Sequence, residues 1–210
     1  MKQAGIEHFL KLSPVMPVVV IEDAQLAPDL ARAFVRGGIR VIEVTLRTPA
    51  ALRAIEAIAR EEPGISVGAG TVLSVADLRS AASAGAAFAI SPGCTPTLLE
   101  AGRTASVPYL PAVATASEVM AGLAAGYKFF KFFPAGAAGG IPMLKSFAGP
   151  FPEVRFCPTG GITQSTVRSY LELPNVLCAG GSWLSPPEAL AARDWARIEA
   201  LAAAAAASKP

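Results

Sequence analysis

Short runs of β-branched and aromatic residues alternate with longer Ala- and Leu-rich runs along the whole chain. The short runs predict strands at residues 15–21, 41–46, 65–70, 88–91, 109–112, 129–133, 155–159 and 176–180. The longer runs predict helices near 28–36, 49–60, 75–84, 95–104, 116–125, 141–147 and 163–171, with a last one running from Pro186 into the Ala-rich tail. Pro28, Pro49 and Pro96 fall in first helical turns, and Ser74 and Thr163 sit where N-caps belong. Gly37, Gly85, Gly102 and Gly126 stand where helices should stop.

Eight strand–helix units in succession predict an α/β fold, a (β/α)₈ TIM barrel with an extra N-terminal helix, as one domain over residues 1–210. A doubly wound open sheet is the alternative, but no GxGxxG opens the first helix. The stretch 202–207 reads as a docked or frayed helix end. A barrel places its chemistry just after the strands. There the chain carries Glu-Val-Thr-Leu-Arg-Thr (43–48), Gly-Ala-Gly-Thr (68–71), Ser-Pro-Gly (91–93), Pro-Ala-Val-Ala-Thr (111–115), Lys-Phe-Phe-Pro (131–134), Thr-Gly-Gly-Ile (159–162) and Ala-Gly-Gly-Ser (179–182).

Composition narrows the function. Hydrophobic residues make up 52% and charged residues 16%, enough for a sizeable core. The mean hydropathy of +0.46 comes largely from Ala and Val, without the ~18 uninterrupted apolar residues of a membrane span. A net charge of +2 argues against a nucleic-acid surface. Cys94, Cys157 and Cys178 have no CxxC spacing, and residues 1–12 lack the apolar core of a secretory signal, so a reducing cytoplasmic compartment is expected. His8, near the terminus, is the single histidine, so a multi-histidine metal site or a Ser/Cys–His pair would have to use that one residue.

The sixth strand, residues 127–133, alternates so that Lys131 shares a face with Phe129 and Phe133, opposite Lys128, Phe130 and Phe132. Burial disfavours an ammonium, and lysines in such surroundings form Schiff bases with carbonyl substrates. A buried Lys–Glu ion pair or a stem reaching out at the rim is the alternative. On the second strand Glu43, Thr45 and Arg47 share one face and Ile42, Val44 and Leu46 the other. An inward carboxylate is a candidate general acid/base, and Arg47 can hold a carboxylate through two hydrogen bonds. A structural pairing of Glu43 with Arg47 or Lys131 stays open. Gly160-Gly161 and Gly180-Gly181-Ser182 follow the seventh and eighth strands, where barrels often bind phosphate on backbone N–H groups. Thr71 and Thr159 are candidate hydroxyl donors at inward strand ends.

Six segments resemble the bacterial 2-keto-3-deoxy-6-phosphogluconate aldolases, the KDPG/KHG aldolase family: 37–48, 67–73, 88–93, 130–135, 155–162 and 180–184. The resemblance covers roughly residues 15–190. It implies a class I aldolase on a (β/α)₈ barrel, with Lys131 as the Schiff-base lysine and Glu43 as the proton-transferring carboxylate. Arg47 and Thr71 would hold the keto-acid carboxylate, with Pro92 and Phe133 around the pyruvyl part. Thr159 would meet the hydroxylated chain, and Gly160, Gly161, Gly181 and Ser182 the phosphate. No cofactor or metal is implied, because the iminium is the electron sink. The family also implies a homotrimer. Pro-Ala-Val-Ala-Thr (111–115) departs from the Pro-Gly-Ile-Ser-Thr or Pro-Gly-Cys-Ala-Thr of relatives, while Thr-Leu-Arg-Thr (45–48) favours the gluconate-type substrate over the galactonate-type one. The remaining alternatives are a 2-keto-3-deoxy-6-phosphogalactonate aldolase, or a non-covalent phosphate-binding barrel acting as an isomerase or sugar-phosphate sensor.

Overall fold

A computed structural model describes residues 3–208. The leading helix α1 (Gln3–Lys11) precedes β1 (Val15–Val19), a 3-10 turn (Ala24–Leu26), α2 (Ala27–Arg36), β2 (Val41–Thr45) and α3 (Ala51–Glu61). β3 (Ser66–Gly70), α4 (Val75–Ser83), β4 (Phe88–Ile90) and α5 (Pro96–Thr104) follow. Then come β5 (Tyr109–Leu110), β6 (Ala112–Val113), α6 (Ala116–Ala124), β7 (Phe129–Phe132) and α7 (Gly140–Ala148). β8 (Arg155–Pro158), α8 (Val167–Leu171), β9 (Ala179–Gly181), α9 (Pro187–Ala191) and α10 (Trp195–Ala206) complete the described chain.

Every strand pairing is parallel, as strand–helix alternation requires. The strands form a curled six-stranded sheet in the order β5-β4-β3-β2-β1-β9 and a three-stranded one in the order β6-β7-β8. β5 and β6 are two parts of the predicted fifth strand, parted at Pro111, which has no N–H for a ladder. Its carbonyl still accepts from the Lys131 N–H at 2.9 Å. Single bridges, Phe156 to Val176 and Thr159 to Gly180, link β8 to the chain leading into and along β9.

Side-chain alternation sorts the core into two clusters. Val15, Val19, Ile42 and Val44 pack outward with Leu30 and Phe34 of α2 and Ile55 of α3. Met16, Val41, Phe88, Ile90, Leu110, Cys157 and Cys178 form a separate cluster from several strands. Ile6 and Leu10 of α1 are fully buried in that second cluster, which gives the extra N-terminal helix its place. Among the described residues no helix is long and apolar enough to cross a membrane.

The elements differ from expectation at several ends. Gly102 lies inside α5, where its bare Cα admits the Tyr109 ring; a Cβ there would lie 2.3 Å from it. Thr163 caps no helix: α8 begins at Val167, and Thr163 and Thr166 bond each other in the preceding turn. α3 begins at Ala51, two residues beyond Pro49. The eighth strand is only Ala179–Gly181, since Val176 makes a lone bridge. The last helix is two, parted at Arg193, whose φ is +52°, with Asp194 capping α10 through the Arg197 N–H. The Ala-rich end is docked: Ala202 and Ala205 are buried, and a Cβ on Gly37 would come within 2.4 Å of Ala202.

Candidate active site

β7 and β2 bring together two residues 88 positions apart. Lys131 Nζ donates to Glu43 Oε1 at 2.9 Å and Oε2 at 3.2 Å. Lys131 is 5% exposed and Glu43 1%. Strand alternation sets both directions: Phe130 and Phe132 pack into the outer cluster, which turns Lys131 to the opposite face. Ile42 and Val44 do the same for Glu43. Lys128 instead meets Glu153 at the exposed strand entrance, 2.5 Å away. A buried ion pair is weak support for stability, because desolvating two charges offsets their attraction. An amine held against a carboxylate in this way is an arrangement that can exchange protons and that covalent catalysis can use.

Phe133 lies next to this pair, its ring centroid 5.3 Å from Lys131 Nζ. Arg47, exposed beyond the end of β2, donates from Nε to Thr71 Oγ1 at 3.2 Å. Thr71 has φ +58°, a left-handed conformation unfavourable for a β-branched residue. Bonds on either side hold it there: Leu46 N–H to the Gly70 carbonyl at 2.8 Å and Val72 N–H to the Ile90 carbonyl at 3.1 Å. Pro92 follows Ser91, which comes directly after β4 and donates to the Gly93 carbonyl at 2.5 Å.

The glycine loops are shaped by neighbouring side chains and backbone. Gly160 and Gly161 have φ of +97° and +74°, conformations that favour glycine. The Ala135 and Gly136 N–H groups donate to the Thr159 and Gly160 carbonyls at 2.8 and 2.9 Å, tying the loops after β7 and β8 together. A Cβ on Gly160 would lie 3.3 Å from the Phe133 ring, so this loop adjoins the lysine's aromatic neighbour. Thr159 is buried against Gly180, where a Cβ would be 2.2 Å from its Oγ1. Gly181 lies against the Trp183 indole, and exposed Ser182 borders a cavity of about 500 Å³ shared with Val18, Val20 and Ser185.

A buried Lys–Glu pair, an Arg–Thr pair at the mouth and two glycine loops thus sit on one parallel α/β frame. A family model described as KDPG and KHG aldolase matches residues 6–201. The chain belongs to the KDPG and KHG aldolase family. It is 52% identical over 200 residues to the KHG/KDPG aldolase of Escherichia coli, covering 95% of this chain and 94% of that one. The KDPG aldolase of Legionella pneumophila, solved with pyruvate captured as a covalent carbinolamine, superposes with a TM-score of 0.93 at 50% identity, covering 95% of this chain and 97% of that one. The 2-keto-3-deoxy-6-phosphogluconate aldolase of Zymomonas mobilis, solved with 3-phosphoglycerate, gives a TM-score of 0.94 at 50% identity, covering 99% and 97%.

Three features of this family member escape a reading of the sequence. Gly70 makes room for Glu43, since a Cβ would lie 2.1 Å from its Oε1. The available cue is glycine at alternate positions of one strand, Gly68 and Gly70, which marks close approach by a neighbour. Second, Ser91 is 2.6 Å from the Tyr109 hydroxyl, joining the Pro92 loop to the outer core. Burial pushes the Tyr109 phenol up to about 12 and also raises that of Tyr127. Third, the Cys178 thiol is raised by a hydrogen bond with Cys157 and by burial, and the Cys94 thiol by burial and the nearby Glu118 charge. None of the three cysteines is in a disulfide.

Proposed function

We propose that this chain is a class I aldolase that cleaves 2-keto-3-deoxy-6-phosphogluconate to pyruvate and glyceraldehyde 3-phosphate, and 4-hydroxy-2-oxoglutarate to pyruvate and glyoxylate. The observation that carries the reading is the 2.9 Å contact between buried Lys131 Nζ and Glu43 Oε1. The covalent pyruvate adduct of the Legionella relative supports it.

Lys131 passes a proton to Glu43 and attacks the C2 ketone, forming a carbinolamine. Glu43 returns a proton to the departing hydroxyl; water leaves, and a protonated imine remains. Glu43, ionised again once water has left, takes the C4 hydroxyl proton as the C3–C4 bonding electrons flow into the iminium and the aldehyde departs. Glu43 returns that proton to C3 of the enamine, and hydrolysis of the resulting imine releases pyruvate and the free amine. Arg47 and Thr71 hold the carboxylate of the keto acid, while Pro92 and Phe133 enclose its pyruvyl part. Thr159 meets the hydroxylated chain. Gly160, Gly161, Gly181 and Ser182 take the phosphate on backbone N–H groups and a hydroxyl.

The same reading closes the two sheets into a single (β/α)₈ barrel over the described residues, with 1–2 and 209–210 of the expected domain outside them. The break at Pro111 and the lone bridges Phe156 to Val176 and Thr159 to Gly180 support it. Three copies would assemble, as the family resemblance implies, and exposed Leu73 (64%) and Met120 (62%) offer apolar surface to such a contact. Three free thiols suit the reducing cytoplasm.

Borohydride reduction with pyruvate tests the central claim. The adduct should map to Lys131 and vanish in Lys131→Ala; an adduct on Lys128, or none, overturns the assignment. Pyruvate release from the phosphorylated keto acid separates an aldolase from a sensor or isomerase.

A further inference from the structure

The chain at the end of β9 is anchored in an unusual way. Its three residues Gly181, Ser182 and Trp183 take three different environments: Gly181 is buried, Ser182 is exposed, and Trp183 is half-buried against the outer core. The benzo edge of the indole covers the bare face of Gly181, where a Cβ would lie 2.3 Å from Cζ3, 2.6 Å from Cη2 and 2.7 Å from Cε3. Leu184 follows, fully buried. The neighbouring glycine is filled in the same manner from the inner side, by Thr159. The backbone carrying Ser182 is therefore held from both faces of the sheet. The indole Nε1–H is buried with no acceptor among the described residues. An unpaired buried donor is unfavourable, so a hydrogen bond does not explain the seat. The fit of the ring on Gly181 does.

We propose that Trp183 is a positioning residue for the phosphate end of the substrate. Its ring, seated on Gly181, fixes the 180–182 turn in the shape that receives phosphate, and so sets the preference for phosphorylated over unphosphorylated keto acids. This rests on the reading of 160–161 and 180–182 as the phosphate subsite. It adds a residue that touches neither phosphate nor lysine but acts through the backbone between them.

The test compares kcat and KM on 2-keto-3-deoxy-6-phosphogluconate and on 4-hydroxy-2-oxoglutarate. Trp183→Ala, and the gentler Trp183→Leu, should raise KM for the phosphorylated substrate by about tenfold or more, leaving both constants for the unphosphorylated one within about twofold. Trp183→Phe, which keeps a ring over Gly181, should stay within about threefold of the native KM for the phosphorylated substrate, which also provides a reading if the smaller Trp183 variants fold poorly. Equal loss on both substrates, or a loss in Trp183→Phe as large as in Trp183→Ala, overturns the proposal. Ser182→Ala separates the two layers of argument. If it raises KM for the phosphorylated substrate and Trp183→Ala does not, the positioning role alone falls. If Ser182→Ala leaves that KM unchanged, the phosphate subsite falls and the role of Trp183 with it.

Discussion

Glu43 Oε1 occupies the space in which residue 70 would carry a side chain: a Cβ on Gly70 would lie 2.1 Å from it and 2.6 Å from Glu43 Cγ. The strand beside the carboxylate is bare so that the carboxylate can reach Lys131. Gly70→Ala should therefore push Glu43 off the lysine. We expect kcat to fall toward the roughly 10²–10⁴-fold loss associated with losing a general acid/base, and stability to fall by about 1–3 kcal/mol from overpacking. In a Glu43→Ala background the same methyl should cost little stability. Steady-state turnover and urea unfolding of the unmodified protein, the two single variants and the double variant check both points.

Thr71 pairs with Arg47 while holding φ at +58°. The strained conformation costs about 1–3 kcal/mol, and glycine adopts it freely, though at an unfolded-state entropy cost of about 0.4–1 kcal/mol. Thr71→Gly should then stabilise the protein by about 1 kcal/mol while raising KM for pyruvyl substrates, since Arg47 loses its partner and the proposed carboxylate site a hydroxyl. A Tm that falls alongside activity would show that the strain is not relieved.

The strand–helix alternation, Lys131 and Glu43 were legible because each rests on a local rule. Period-2 alternation alone puts Lys131 opposite Phe130 and Phe132, and Glu43 opposite Ile42 and Val44. What was illegible depends on neighbours distant in sequence. Gly102 reads as a helix stop, yet it sits within α5 because Tyr109 needs the space. Thr163 has the chemistry of an N-cap, but its hydroxyl is bonded to Ser165 and Thr166 instead. The seat of Trp183 on Gly181 and the room Gly70 leaves for Glu43 belong to the same class: a missing side chain records its neighbour only after the chain has folded.

The two buried tyrosines predict an alkaline limit on stability. Tyr109 is held near 12, above its ordinary value of about 10, because burial disfavours the phenolate. Burial raises Tyr127 in the same direction. A raised native value means that the folded state keeps protons the unfolded chain releases. The stabilisation is complete below about pH 10 and is lost as pH climbs toward about 12. Urea midpoints should fall across that window, and Tyr109→Phe should make the fall shallower, at the expense of the Ser91 contact. A midpoint flat from pH 9.5 to 11.5 would contradict the assignment.

Glu43→Gln separates the two halves of the Lys131–Glu43 pair. The amide keeps the shape of the carboxyl and leaves Lys131 a neighbouring oxygen, but it cannot carry protons between amine, carbinolamine and leaving water. Borohydride with pyruvate should still label Lys131 on long incubation, because the nucleophile is intact. Turnover should drop by roughly 10²–10⁴-fold, with KM changed far less, as the proposed assignment of the keto-acid carboxylate to Arg47 and Thr71 rather than Glu43 requires. Unchanged turnover would make Glu43 a structural counter-ion. Loss of labelling even on long incubation would show that the amine has no slower route, such as solvent, for shedding the proton that Glu43 accepts.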